Sequence, residues 1–144
     1  MRHRPTNAAH ELYACACAEA GELSFAVTVE HLVLACARLG SRLDEFVEAD
    51  EVRELILLRE RDALARVGIS YDSVREEMDD ALRDSGCLPI APEVKRLLER
   101  AARRRRRVEA DDLLRTLVEE SATARAFLAE LDVPIATLRS RLSA

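Results

Sequence analysis

The sequence has no tryptophan, only 3% aromatic residues, and just four glycines and four prolines in 144 residues. Few aromatics exclude a core built on large rings and weaken any strand signal, because aromatic and β-branched side chains are the ones that fill pleated surfaces. Few breakers leave long segments uninterrupted, and the strong helix formers Ala, Leu, Arg and Glu dominate. The expected fold class is all-α, one domain with an aliphatic, alanine-rich core and no strands. No apolar run approaches the ~18 residues that cross a bilayer, and Met1 to Arg4 lead into no signal-peptide core. A cytoplasmic location without membrane contact is expected.

Several catalytic signatures are missing. There is no G-x-x-x-x-G-K-[ST] phosphate loop, and the one lysine, Lys95, follows no glycine-rich turn. There is no G-x-S-x-G elbow, and His10-Glu11 has no second histidine at the spacing of a zinc helix. Cys15, Cys17, Cys36 and Cys87 read as reduced thiols and small core residues. Cys15 and Cys17, two apart in a helical pattern, point to different sides and cannot clamp one metal. No enzyme activity, cofactor or metal is expected.

What is present is helical periodicity. The first helix opens at Thr6 and stops at Gly21, and the second opens near Thr28 and carries Val29, Leu32, Val33 and Cys36 to Gly40. Residues 41–67 hold a longer pattern whose first half is acidic. Gly68 ends it, and Ser70 caps a helix through Val74, Met78 and Leu82. Residues 85–89 form the best internal boundary. Beyond it Pro92 opens a helix with Leu97 and Leu98, and three more segments follow through Leu113, Phe127 and Leu138. The order reads four helices plus four. Residues repeat with it: Val29-Glu30-His31-Leu32-Val33 matches Ala110-Asp111-Asp112-Leu113-Leu114, and Val67-Gly68-Ile69-Ser70 matches Leu131-Asp132-Val133-Pro134. Two small units that cannot bury their apolar faces alone are expected to pack as pseudo-symmetric halves, residues 5–86 and 90–144.

Thr28-Val29-Glu30-His31-Leu32, Gly68-Ile69-Ser70 before Val74-Arg75, and Leu88-Pro89-Ile90-Ala91-Pro92-Glu93-Val94 resemble, in that order, the N-terminal repeat domain of Clp-type protein unfoldases such as ClpA and ClpC. The resemblance implies an all-helical, non-catalytic domain that receives degradation substrates, adaptors and Clp ATPase or protease components, and that docks cyclic-peptide antibiotics. It also implies a ligand site for phosphorylated arginine. There Glu30 would grip the guanidinium and the helix opening at Thr6 the phosphate, a chemistry suited to a carboxylate fork and to free N–H groups. Equally, a glutamate at Glu30 is favoured by the helix dipole alone. His31 reads as a tie between a loop and the core.

Three departures from the family pattern stand out. Residues 41–55 are surplus, an acidic insertion expected to add a helix covering or flanking the first repeat, with Leu43, Phe46 and Val47 on its apolar side. Arg103, Arg104, Arg105, Arg106 and Arg107 run almost directly into the next helix. The family's threonines at helix openings are replaced by Ala91 and Ala110, which would remove two caps of about 1 kcal/mol each. The five arginines read as a solvated helix end, a patch for an acidic protein, or a contact for nucleic acid. The net charge of −5 opposes nucleic-acid binding by the surface as a whole. The favoured function is an adaptor, regulator or decoy that binds peptides or proteins. The alternative is a nucleic-acid-associated regulator using the arginine run.

Overall fold

The computed structural model describes residues 7–85, 88–104 and 108–143, with the side chains of 7–9, 80–85 and 104 excepted. Its helices are α1 (Asn7–Leu23), α2 (Val29–Arg38), α3 (Ala49–Ala65), α4 (Tyr71–Ser85), α5 (Pro92–Arg104), α6 (Ala110–Glu120), α7 (Ala122–Glu130) and α8 (Ile135–Ser143), with a 3₁₀ turn at Arg42–Glu45. The protein is an all-α domain. Among the described residues no strand forms, and the only sheet-like pairing is a parallel bridge of Val27 with Ile90. The Val27 N–H donates to Pro89 O at 2.9 Å and the Ala91 N–H to Val27 O at 2.9 Å, tying the loop before α2 to the entry of α5.

α2 lies at the centre. Val29 and every residue from His31 to Ala37 are buried, so it is covered all round, as a helix hydrophobic on every side must be. α1, α3, α5, α6 and α7 pack against it. α6 is the second central helix, burying Leu113, Leu114, Leu117 and Val118. The core is aliphatic as expected; Phe127 is its one aromatic of full burial.

The helix ends show which local signals act. α3 ends at Gly68, whose φ of 75° only glycine adopts without cost. There the Ile69 N–H reaches back to Leu64 O at 2.9 Å and the Gly68 N–H to Ala65 O at 3.0 Å. α7 ends in the same way. Asp132 takes φ 59°, the Val133 N–H donates to Leu128 O at 3.0 Å and the Asp132 N–H to Ala129 O at 3.0 Å. Both turns thus have the paired back-bonds that satisfy the last carbonyls of a helix. The entries to α2 and α6 match too. The Thr28 N–H donates to His31 Nδ1 at 2.9 Å, and the Glu109 N–H donates to Asp112 Oδ2 at 3.0 Å.

Three expectations need correction. α1 does not stop at Gly21 but continues to Leu23, which is buried; partners from α4 cap its end. Arg75 donates to the carbonyls of Gly21 and Ser24, and the Tyr71 hydroxyl donates to Leu23 O at 2.6 Å. Residues 41–55 form no separate added helix. They are the 3₁₀ turn, capped by the Ser41 hydroxyl that accepts from the Leu43 N–H at 3.2 Å, and then the first turns of α3. Leu43, Val47 and Val52 are buried, and the turn packs on α2 and α8, so this acidic stretch supplies core as well as surface. Finally, α6 has not lost its opening residue. Its cap position is Glu109, not Ala110, and the Asp112 side chain serves the exposed N–H there.

Candidate functional site

The corner between α1 and α2 holds a chain of polar side chains inside an apolar wall. His31 is fully buried; its Nδ1 accepts the Thr28 N–H, which leaves the proton on Nε2, 2.8 Å from the Ser24 hydroxyl. Ser24, also buried, passes the chain to the Glu60 carboxylate of α3. Burial pushes the His31 pKa down to about 4 against weaker opposing effects from Glu30 and Thr28, so the ring is neutral at pH 7. Burial also raises the Glu60 carboxyl, with Ser24 opposing and nearby Glu30 adding to the rise. His31 therefore ties the loop before α2 to the core, as its position in the sequence suggests.

Glu30 follows from the same corner. It sits in the first turn of α2, where the dipole favours an acid, and it accepts the Thr28 hydroxyl at 2.7 Å. Its other oxygen is 3.2 Å from a guanidinium nitrogen of Arg59, on α3. The rest of that guanidinium pairs with Glu130 of α7 at 3.2 and 2.5 Å and lies over the Phe127 ring, 5.1 Å from its centroid. One arginine of this chain thus bridges two carboxylates across three helices and stacks on an aromatic face. Beside it Thr28, Glu30, Ile56, Arg59 and Glu60 line a small cavity of about 100 Å3. Arg59, Glu60 and Phe127 were not singled out in the sequence. Nothing in their local spacing separates them from other charged or apolar helical positions, and only packing brings them to Glu30.

Thr6 lies outside the described residues, and so do Arg105, Arg106 and Arg107. Of the remaining run, Arg103 is exposed and lines a shallow cleft of about 330 Å3 with Arg96, Leu97, Glu99, Arg100 and Glu120. Arg104 ends α5, and its side chain is outside the described set. The cleft is of mixed charge: Arg100 is 2.7 Å from Glu120, and Arg96 is 3.6 Å from Glu93. Asp111, the counterpart of Glu30, accepts the backbone N–H of Arg42 at 2.7 Å and fastens the 3₁₀ turn to α6. Ala91 opens α5 without a side-chain acceptor.

Cys36 is buried against the Ala110 carbonyl and its thiol is strongly raised, chiefly by burial, which makes it a packing residue rather than a nucleophile. Among the described residues no group of His, Cys, Asp and Glu could hold a metal ion, and no helix is long and apolar enough to cross a membrane. The chain matches no protein-family model, and no curated protein matches it.

Proposed function

We propose that this chain is a non-catalytic protein- and peptide-binding module of the kind that receives substrates and adaptors for Clp unfoldases, acting as an adaptor, regulator or decoy. The observation that carries the reading is the matched local geometry of the two halves. The left-handed turn between α3 and α4, with its paired back-bonds, recurs between α7 and α8, and the bond from the opening N–H to the side chain three residues on is shared by α2 and α6 as well as by the 3₁₀ turn and α3. Such paired geometry supports a duplicated four-helix unit, the architecture that the resemblance to the Clp N-terminal domain implies. Degradation substrates, adaptors and Clp ATPase or protease components are the partners of this reading, with cyclic-peptide antibiotics as a further class of ligand.

Within it, Glu30 is the residue for an incoming guanidinium, and its setting adds a condition. The carboxylate already holds Arg59, so a foreign arginine enters by exchange, with Arg59 falling back on Glu130. Calorimetric titration with an arginine-phosphorylated peptide tests this. Glu30→Ala should lose binding, Asp111→Ala should retain it, and Arg59→Ala should bind about tenfold tighter, since an exchanged charge-assisted hydrogen bond is worth ~1.5 kcal/mol or more. Absence of binding by both the unmodified chain and Arg59→Ala would refute the Glu30 site.

A further inference from the structure

A second surface lies along α3 beside the Glu30 site, with Glu130 common to both. Glu51, Glu54, Leu55 and Leu58 occupy one face of that helix, and Glu130, Leu131 and Asp132 face them from the end of α7, lining a shallow, open groove of about 500 Å3. Its floor is apolar. Leu55 and Leu131 are half-buried there, and Leu58 is 55% exposed, one of few large apolar side chains so open to water. Its rim is acidic on both sides, Glu51 and Glu54 on one and Glu130 and Asp132 on the other, and among the described residues no basic side chain lines it. Arg59 pairs with Glu130 from the adjoining site and offsets that charge.

We infer that this groove docks a basic segment of a partner protein, one apolar side chain flanked by arginine or lysine, seated on Leu55, Leu58 and Leu131 between the two acidic rims. Charge selects this occupant. Carboxylates on both rims repel the phosphates of nucleic acid and of anionic lipid, and two copies of a chain of net charge −5 also repel each other. Size selects a short segment. The four α3 positions span about two helical turns, ~10 Å, which matches roughly three residues of extended chain. That sets one apolar residue over the floor with a cation on each side. Like other such surfaces, the groove should draw affinity from the apolar anchor and orientation and encounter rate from the rim.

The inference rests on the reading of the chain as a binding module but not on the Glu30 site. The probe is a labelled, capped peptide of alternating leucine and arginine, titrated by fluorescence anisotropy against the full chain. Controls are the same peptide with glutamine for arginine and with serine for leucine. Saturable binding is expected, weakened about tenfold by Leu58→Ser, as loss of a central anchor of ~1.4 kcal/mol requires. Glu51→Gln with Glu54→Gln should weaken it about fivefold and flatten its salt dependence, because screening acts on the rim alone. All three positions are at the surface, and circular dichroism shows whether each variant is folded; Leu58→Met should restore binding. Equal binding by Leu58→Ser, equal binding of the glutamine peptide, or a dimer that Leu58→Ser dissociates would overturn the groove assignment and leave the Glu30 reading standing. Failure to bind this probe together with failure to bind the phosphorylated peptide would remove both.

Discussion

Acid should unfold this protein partly through one histidine. His31 is buried and neutral, its Nδ1 spent as acceptor for the Thr28 N–H and its Nε2–H directed at Ser24. Protonation puts a second N–H on the ring, facing the Thr28 donor, so the charged form loses a hydrogen bond as well as its hydration. The folded pKa of about 4 lies below the usual 6.5. The His31 contribution is therefore fully present above pH 6.5 and is lost as pH falls through 4. A shift of that size corresponds to about 3 kcal/mol, a large part of the stability of a small domain. Glu60, whose carboxyl is raised, acts in the opposite sense, since its contribution is kept at low pH and lost as pH rises through its folded pKa.

The difference between the unmodified chain and His31→Gln isolates the histidine, because the remaining carboxylates titrate in both. Urea unfolding at intervals between pH 7 and pH 4 is the assay. At pH 7 His31→Gln should be less stable by ~1–3 kcal/mol, the cost of disturbing two buried hydrogen bonds. On acidification to pH 4 the difference should move by about 3 kcal/mol in favour of His31→Gln, so that the variant becomes equal to or more stable than the unmodified chain. A gap that stays constant with pH would refute the argument that His31 is held neutral by its surroundings.

Two other substitutions test the fold. Leu43→Ala should destabilise by ~2–5 kcal/mol in denaturant unfolding, since the side chain is fully buried under the 3₁₀ turn; a loss below ~1 kcal/mol would make residues 41–55 the surface insertion that their acidity suggests. Gly68→Ala should cost about 1 kcal/mol. An added Cβ there meets nothing within 4 Å, so the cost comes from the backbone conformation alone, and an unchanged midpoint would contradict the left-handed turn.

Most of the helices could be read from the sequence because their signals are local. Thr28, Ser70 and Gly68 act on neighbours within one turn, and the alternation of apolar and charged residues gives each helix its buried side. Gly21 misled because what extends α1 is distant in the chain: Arg75 and Tyr71 supply the donors that a glycine turn would otherwise supply. The acidic stretch misled for a related reason. Charge frequency suggested surface, while the three apolar residues Leu43, Val47 and Val52, set among those acids, decide burial. Glu30 and its expected role toward a guanidinium could be read from the resemblance, but the partner it holds in this chain could not. Its partner Arg59 is one of many arginines, and its position over Phe127 follows from the packing of α3 on α2 and α7.

The Val27–Ile90 bridge bears on the order of folding. Val27 is buried, and both of its main-chain groups are satisfied from beyond the midpoint of the chain, by Pro89 and Ala91. A nascent chain that has emerged only as far as α4 would leave those groups without their protein partners, and α2 bare along the sides that α5, α6 and α7 cover. Such a distant closure is slow to find and unrewarded until late. The first half should therefore stay unstructured on the ribosome until α6 and α7 are out, and ordering should then spread through both halves in one step.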